Sequence, residues 1–228
     1  MAKILKGFTI RLSRIPLSEQ LSNDCIESGK KYGINIEPFG GINGNVADPI
    51  LKSLGLRPRR EQKKTSKPGV KGCFLSHFFL WQKCIQLNEP IAIFEHDGLL
   101  IRQVPEDILN HFTDVLTLDP CDQYSKDYEY CLAHTGPYVF SEYFNYKAKK
   151  NTIFGEYLRG AYAYIIKPHA AERIVEQCIK YGFVPADQQI GKKLVDIRSV
   201  FPSIARLHPY YNRKRIKLES LTKNLPSL

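Results

Sequence analysis

Nowhere in the 228 residues do apolar side chains run for the roughly 18 positions that a bilayer-spanning helix requires. The opening stretch, MAKILKGFTI, holds too short an apolar segment for a secretory leader. No two of the six cysteines form a C-x-x-C pair, which speaks against a structural zinc site. Scattered through a chain long enough to build a core without crosslinks, they read as free thiols of a reducing compartment, and a cytoplasmic location is expected. No internal repeat occurs. Acidic residues are the scarce charge: 23 against 33 Lys and Arg, a net of +10. That excess points to a polyanionic partner, namely nucleic acid, an anionic membrane surface or a phosphorylated substrate. With 43% hydrophobic and 11% aromatic residues, disorder is excluded as a description of the whole.

What is there begins as β-α-β. GFTIRL (7–12) reads as a short buried strand. SEQLSNDCIESGKKYG (18–33) follows as a helix with Leu17, Leu21, Cys25 and Ile26 on one face and Gly29 and Gly33 as stops. NIEPF (35–39) reads as a second strand, and GGINGN as a turn. Residues 52–71 form a basic loop, either a solvated surface or a phosphate-contacting loop over a site. From Gly72 to Leu87 the recurrence of Phe74, Phe78, Trp81 and Ile85 predicts a helix. IAIF (91–94) is apolar throughout, as in the middle of a parallel sheet. Further strands are expected at 114–118, at 161–166 and within 195–207, with a helix over 169–181 ended at Gly182. The Tyr-rich segment 119–150 shows no period and reads as a long loop or an insertion. One α/β domain over 1–228 is expected, ending in a basic tail, 206–228.

The strand IAIF runs straight into Glu95-His96-Asp97-Gly98. In an extended segment side chains alternate with period two, so Glu95 and Asp97 point to one side and His96 to the other. Ligands of open α/β sheets bind at that carboxyl end. Two carboxylates there suit a hard cation, Mg²⁺ or Mn²⁺, although an exposed strand-end pair is the alternative. His77, on one face with Phe74 and Trp81, is either a packed histidine or a support for the site. Asp187, after Pro185, is either a helix N-cap for QQIGKKL or a general base.

Taken in order, these segments resemble the signature of glycosyltransferase family 25. GCFLSHFFLW resembles its GC-x-x-SH-x-x-x-W helix, and IAIFEHD its apolar strand ending in E-D-D. FTIRL with GGINGN, DVLTLD, GAYAYIIKPHAAERIV and VPADQQIG resemble further segments, so the likeness spans about residues 7–205. His96 stands where the family has its middle Asp, and Arg11-Leu12 where Asn-Leu is usual. The resemblance implies a GT-A-type fold, a Rossmann-like, largely parallel sheet with helices on both faces. It implies a nucleotide-sugar donor, such as a UDP-sugar, with its diphosphate on Mn²⁺ or Mg²⁺, and inversion at the anomeric carbon. On that pattern Glu95, Asp97 and His208 are the expected metal ligands and Asp187 the base. Arg11, Gly41, His77, Glu95, His96, Asp97, Arg159 and Gly160 are expected around the donor.

For the acceptor, the basic clusters at 52–71 and 206–223 suit an anionic membrane and a DNA backbone equally; the charge, the lack of a membrane anchor and the cytosolic cysteines together favour a phage-type transfer to a hydroxymethylated base in DNA, with the Tyr-rich segment as a stacking surface. A lipopolysaccharide or other lipid-linked glycan is the alternative. A metal-dependent phosphodiesterase using Glu95, Asp97 and His208 is a rival, as is a nucleic-acid-binding module without catalysis. No second carboxylate cluster is present for a two-metal site, and the module leaves the ordered motifs unexplained.

Overall fold

The computed structural model describes residues 5–59, 67–120, 128–143 and 154–209. It opens as expected, with β1 (Lys6–Arg11), α1 (Pro16–Tyr32) and β2 (Asn35–Gly40). Pro16 occupies the first turn of α1, where its missing N–H costs nothing. Gly33 closes the helix in the left-handed conformation, φ 91°, its N–H donating to Gly29 O. After a 3-10 turn come α2 (Ala47–Ser53) and α3 (Pro68–Leu87). The basic loop is therefore shorter than 52–71. Lys52 belongs to α2 and Lys71 to α3, because Pro68 starts the helix rather than breaking a loop. Residues 60–66, with Arg60, Lys63 and Lys64, lie outside the described residues.

Next are β3 (Ile91–Phe94), β4 (Gly98–Leu100), β5 (Val115–Thr117), α4 (Tyr128–Ala133) and β6 (Val139–Glu142). The chain continues through β7 (Ala163–Ile166), α5 (Pro168–Tyr181), α6 (Ala186–Gln189), β8 (Ile197–Phe201) and β9 (Ala205–Leu207). Seven strands form one sheet in the order β2-β1-β3-β7-β5-β8-β6. The pairs β1–β2, β1–β3 and β5–β8 are parallel; β7 is antiparallel to both β3 and β5, and β6 to β8. Five strands thus point one way, and β7 and β6 run against them. β4 and β9 make a separate antiparallel ribbon.

Alternation along the strands divides the core into two layers. Ile91 and Ile93 of β3, with Tyr164 and Ile166 of β7, pack with Phe74, Phe78 and Trp81 of α3 and Ile174 of α5. Ala92 and Phe94, with Ala163 and Ile165, pack on the opposite face with Cys25 of α1. A strand buried on both faces must be apolar throughout, as IAIF is. Each fully buried Ile contributes roughly 1.5–3 kcal/mol.

Segment 119–150 is not all loop. It supplies α4 and the edge strand β6, while residues 121–127 and 144–150 lie outside the described ones. β6 escapes hydrophobic pattern reading because its side chains are largely exposed and backbone pairing to β8 holds it. Of the described cysteines, Cys25, Cys73, Cys84, Cys131 and Cys178 are free thiols.

Candidate active site

Alternation carries Glu95 onto the same face as Ile91 and Ile93, towards α3. The chain then turns rather than staying extended. Gly98 N–H donates to Glu95 O at 2.9 Å, and Glu95 N–H to Tyr162 O at 2.9 Å. The same-side argument for Glu95 and Asp97 therefore fails at His96. Asp97 lies in the turn between β3 and β4, its carbonyl accepting His208 N–H at 2.7 Å. Gly98 is required by packing: a Cβ there would stand 2.5 Å from Tyr162 O.

Around Glu95 lies a dense polar cluster. His77 Nε2 is 3.3 Å and Cys73 Sγ 3.7 Å from Glu95 Oε1. His77 Nδ1 is 2.9 Å from the Tyr164 hydroxyl, which also receives Trp81 Nε1–H at 2.9 Å. His77, Trp81 and Tyr164 are all fully buried, and the His77 and Tyr164 rings are stacked, with centroids 5.8 Å apart. Burial alone would raise the Glu95 carboxyl, but the hydrogen bonds from His77 and Cys73 and the neighbouring His96 outweigh it, leaving Glu95 below its ordinary value. Burial likewise lowers the His96 imidazole, opposed by Glu95.

Asp187 comes to the same place from the far end of the chain. Phe183 stacks on Phe74 of α3, with centroids 4.1 Å apart, and Phe183 exchanges backbone hydrogen bonds with Arg57 and Arg59. Together these hold the segment after α5 against α3. α6 starts at Ala186 with Pro185 as its N-cap, so Asp187 is not the cap; its Oδ1 accepts the N–H of Gln188 at 2.9 Å. The expected helix over QQIGKKL shrinks to these four residues. Burial pushes the Asp187 carboxyl up to about 6, with the charge of Glu95 adding to it against Gln188 N–H and His77. Asp187 also acts on the Cys73 thiol, which burial, Glu95 and Asp187 push well up.

The remaining expected residues are placed less centrally. Arg11 is held against α1, Nε donating to Ser22 Oγ at 2.6 Å and the guanidinium to Asn23 Oδ1. Gly41 N–H donates to Arg11 O at 2.8 Å, tying the glycine-rich turn to β1. Within that turn, Ile42 N–H donates to Ser76 Oγ at 2.9 Å. A Cβ on Gly44 would stand 2.4 Å from the Pro68 carbonyl carbon, so the turn and the start of α3 meet backbone to backbone. Arg159 donates its N–H to the Tyr143 hydroxyl at 3.1 Å, and Leu158 N–H donates to Ile190 O, which sets this stretch beside the Asp187 segment. Gly160, at φ 69°, turns the chain towards β7. His208 N–H donates to Asp97 O at 2.7 Å, but its Nε2 lies 3.2 Å from Asp24 Oδ2 on α1. The third-ligand role expected of His208 is thus not carried forward, its imidazole being turned to a different carboxylate.

Among the described residues, the three-membered group of potential ligand atoms lying within 4.8 Å of one another is Cys73, His77 and Glu95. Sequence reasoning missed Cys73, Tyr164 and Trp81 as parts of the site. Cys73 and His77 are spaced i, i+4 on one helix, hence on one face. A Tyr in a strand buried on both faces must find a partner for its hydroxyl. Those were the available signals.

An α/β sheet whose strand ends gather two acidic side chains with a buried histidine and a carboxyl poised near neutrality defines an enzyme-type site. The model of glycosyltransferase family 25, described as LPS biosynthesis protein, matches residues 18–190. The chain belongs to that family. A glycosyltransferase 25 family member of Aedes aegypti is 28% identical over 97 residues, 40% of this chain and 16% of that protein. The lipooligosaccharide biosynthesis protein lex-1 of Haemophilus influenzae is 46% identical over 41 residues, 18% of this chain and 14% of that protein. The matched stretches are thus a small part of both relatives. Among solved structures, mouse xyloside xylosyltransferase 1 in its apo form aligns over 82% of this chain and 80% of its own, with a TM-score of 0.35 and 7% identity.

Proposed function

We propose that this protein transfers a sugar from a nucleotide-sugar donor, a UDP-sugar, to a hydroxyl of a cell-surface glycan, with inversion. The observation that carries this reading is that the Phe183–Phe74 stack sets the Asp187 segment against α3, the helix that holds Glu95 through His77, in a chain of glycosyltransferase family 25. The acceptor oxygen attacks the anomeric carbon. The bond from that carbon to the diphosphate oxygen breaks, its electron pair leaves with the diphosphate, and the acceptor proton passes to Asp187. A carboxyl with a pKa of about 6 is ionised at neutral pH yet basic enough to share that proton in the transition state.

The donors around Glu95 fit a hard cation in part. The Asp97 carboxylate offers oxygen, which suits Mg²⁺ or Mn²⁺. Cys73, His77 and Glu95 together mix sulfur, nitrogen and oxygen, which does not suit these ions. Asp97 is therefore the residue that would hold the cation alongside the donor phosphates. Bound there, a cation supplies positive charge to the departing diphosphate.

The acceptor reading shifts from DNA to glycan. A relative is named for lipooligosaccharide biosynthesis, and the family is described by LPS biosynthesis. The DNA reading rested on basic residues and on tyrosines free to stack. Lys71 is paired with Asp48 at 2.6 Å, and the Arg59 guanidinium lies over the Phe154 and Tyr181 rings. The hydroxyls of Tyr128 and Tyr138 are bonded to Asp119 and Gln103 O, which ties both side chains down, while Tyr130 of the same segment is exposed. The tail 210–228 lies outside the described residues.

The test is nucleoside diphosphate release from a panel of UDP-sugars with Mn²⁺. Lipooligosaccharide core oligosaccharide or hydroxymethylated duplex DNA serves as acceptor. Release that depends on the oligosaccharide is expected. Transfer to DNA, with binding that weakens steeply as salt rises, would return the acceptor to nucleic acid. No turnover of any nucleotide sugar would overturn the proposal.

A further inference from the structure

The chain Trp81–Tyr164–His77–Glu95 has a readable direction. An indole Nε1–H can only donate, so the Tyr164 oxygen is the acceptor of its 2.9 Å contact with Trp81. At the other end, an ionised Glu95 can only accept, so His77 Nε2 must carry the hydrogen of their 3.3 Å contact. A doubly protonated ring would aim Nδ1–H at the Tyr164 oxygen and strand the phenolic O–H, whereas the neutral ring with its hydrogen on Nε2 has a lone pair on Nδ1. That lone pair takes the one hydrogen the Tyr164 hydroxyl has, across 2.9 Å. The opposite assignment fails twice. It sets the Nε2 lone pair against a carboxylate, and it leaves a fully buried phenolic O–H without an acceptor, at a cost of roughly 1–3 kcal/mol.

We infer that Tyr164, oriented by Trp81, is a positioning residue that fixes the Nε2–H tautomer of His77 and through it pins the Glu95 carboxylate at the edge facing Asp187. Its catalytic consequence rests on the transfer reading above; the tautomer does not. β7 holds Glu95 twice over. The carbonyl of Tyr162 takes the Glu95 N–H, and the hydroxyl of Tyr164 sets the ring that holds the Glu95 side chain. The same direction sets a hydrogen on the imidazole nitrogen that meets Glu95, where a metal shared by His77 and Glu95 would need a lone pair.

The experiment is ¹⁵N NMR of imidazole-labelled full-length protein at one neutral pH, without substrate, with His77 assigned through its backbone. A protonated Nε2 and an unprotonated, hydrogen-bonded Nδ1 are expected. In Tyr164→Phe the Nδ1 resonance should move to that of a nitrogen without a donor, while Nε2 stays protonated. That variant should lower kcat for transfer about tenfold with the donor KM unchanged, which a merely structural role would not produce. A wild-type His77 with its proton on Nδ1, or Zn²⁺ shifting Nε2 at stoichiometric addition, overturns the inference. So does a Tyr164→Phe protein with the Nδ1 change and unaltered kcat. The wild-type spectrum decides the tautomer even if the variant does not fold. Absence of transfer by wild type counts against the proposed function alone.

Discussion

Two carboxyl groups, Asp187 and Asp114, stand near opposite ends of the sheet, and their surroundings drive them in opposite directions. Asp114 precedes β5 and is buried. It accepts from Asp196 N–H at 2.7 Å, from His169 Nε2 at 2.8 Å and from the Arg173 guanidinium. Burial alone would raise it, but Asp196 N–H, Arg173 and His169 outweigh burial and leave it below the ordinary value. Asp187 accepts a backbone N–H from Gln188 and faces the charge of Glu95, and it rises to about 6. Enough donors make a buried carboxylate a fastener between α5 and the start of β8. Too few, beside a like charge, make one that binds a proton near neutrality.

Exchanging these environments for amides should separate the two roles. Asp187→Asn keeps an acceptor for Gln188 N–H and removes the base, so transfer should fall by roughly 10²–10⁴-fold with nucleotide binding retained. Initial rates and donor affinity measure this; an unchanged rate would discard Asp187 as the base. The same variant sharpens the comparison through stability. A carboxyl whose folded value exceeds its unfolded one costs nothing below the unfolded value of 3.8 and its full penalty above about 6. Urea unfolding should therefore show Asp187→Asn more stable than wild type at pH 8, by about 1–3 kcal/mol once solvent access is allowed for. At pH below 4 the difference should vanish.

Asp97→Ala should lower metal-supported turnover by about two to three orders of magnitude, as a lost electrostatic contact of roughly 3–4 kcal/mol implies. Unchanged Mn²⁺ dependence in that variant would remove Asp97 from the cation. In wild type, transfer should rise with pH through about 6 and then level, as the Asp187 base ionises. Asp187→Asn should lose that limb, which a pH–rate profile reads directly.

Asp114→Asn is the counterpart with the smallest effect on chemistry. It should cost about 2 kcal/mol at pH 7, as charge-assisted bonds are lost, and leave transfer unchanged. Since the folded value of Asp114 is depressed, its contribution is present above the unfolded value and lost as pH falls through the folded one. The wild-type and variant denaturation midpoints should thus converge in acid. A variant that loses activity and keeps stability would erase the distinction between the two ends.

Much of the frame was legible in the residues. α1, α3 and α5 show apolar spacing with Pro or Gly at their ends, and β3 shows the apolar run of a strand covered on both faces. Glu95 at the end of that run marked the site. The alternation argument failed two residues later because a turn, closed by Gly98 N–H on Glu95 O, replaces the extended chain. No local pattern distinguishes those outcomes. β6 was invisible because its stabilisation is backbone pairing at an edge rather than side-chain burial.

The sequence by itself determined the local elements and the expectation of an α/β architecture, which follow from periodicity, capping and residue type, as neighbouring positions alone can express them. The choice of Glu95, Asp97, His77 and Asp187 as candidate site residues rested on the resemblance to the family as well. Tertiary structure decided that β7 runs antiparallel between β3 and β5, so that its Tyr162 and Tyr164 bracket Glu95. It decided as well that the stack of Phe183 on Phe74 brings Asp187 to α3, and that His208 turns to Asp24. These depend on burial and charge between residues far apart in the chain. Whether a carboxyl becomes a fastener or a base is set by the donors and charges that folding places around it.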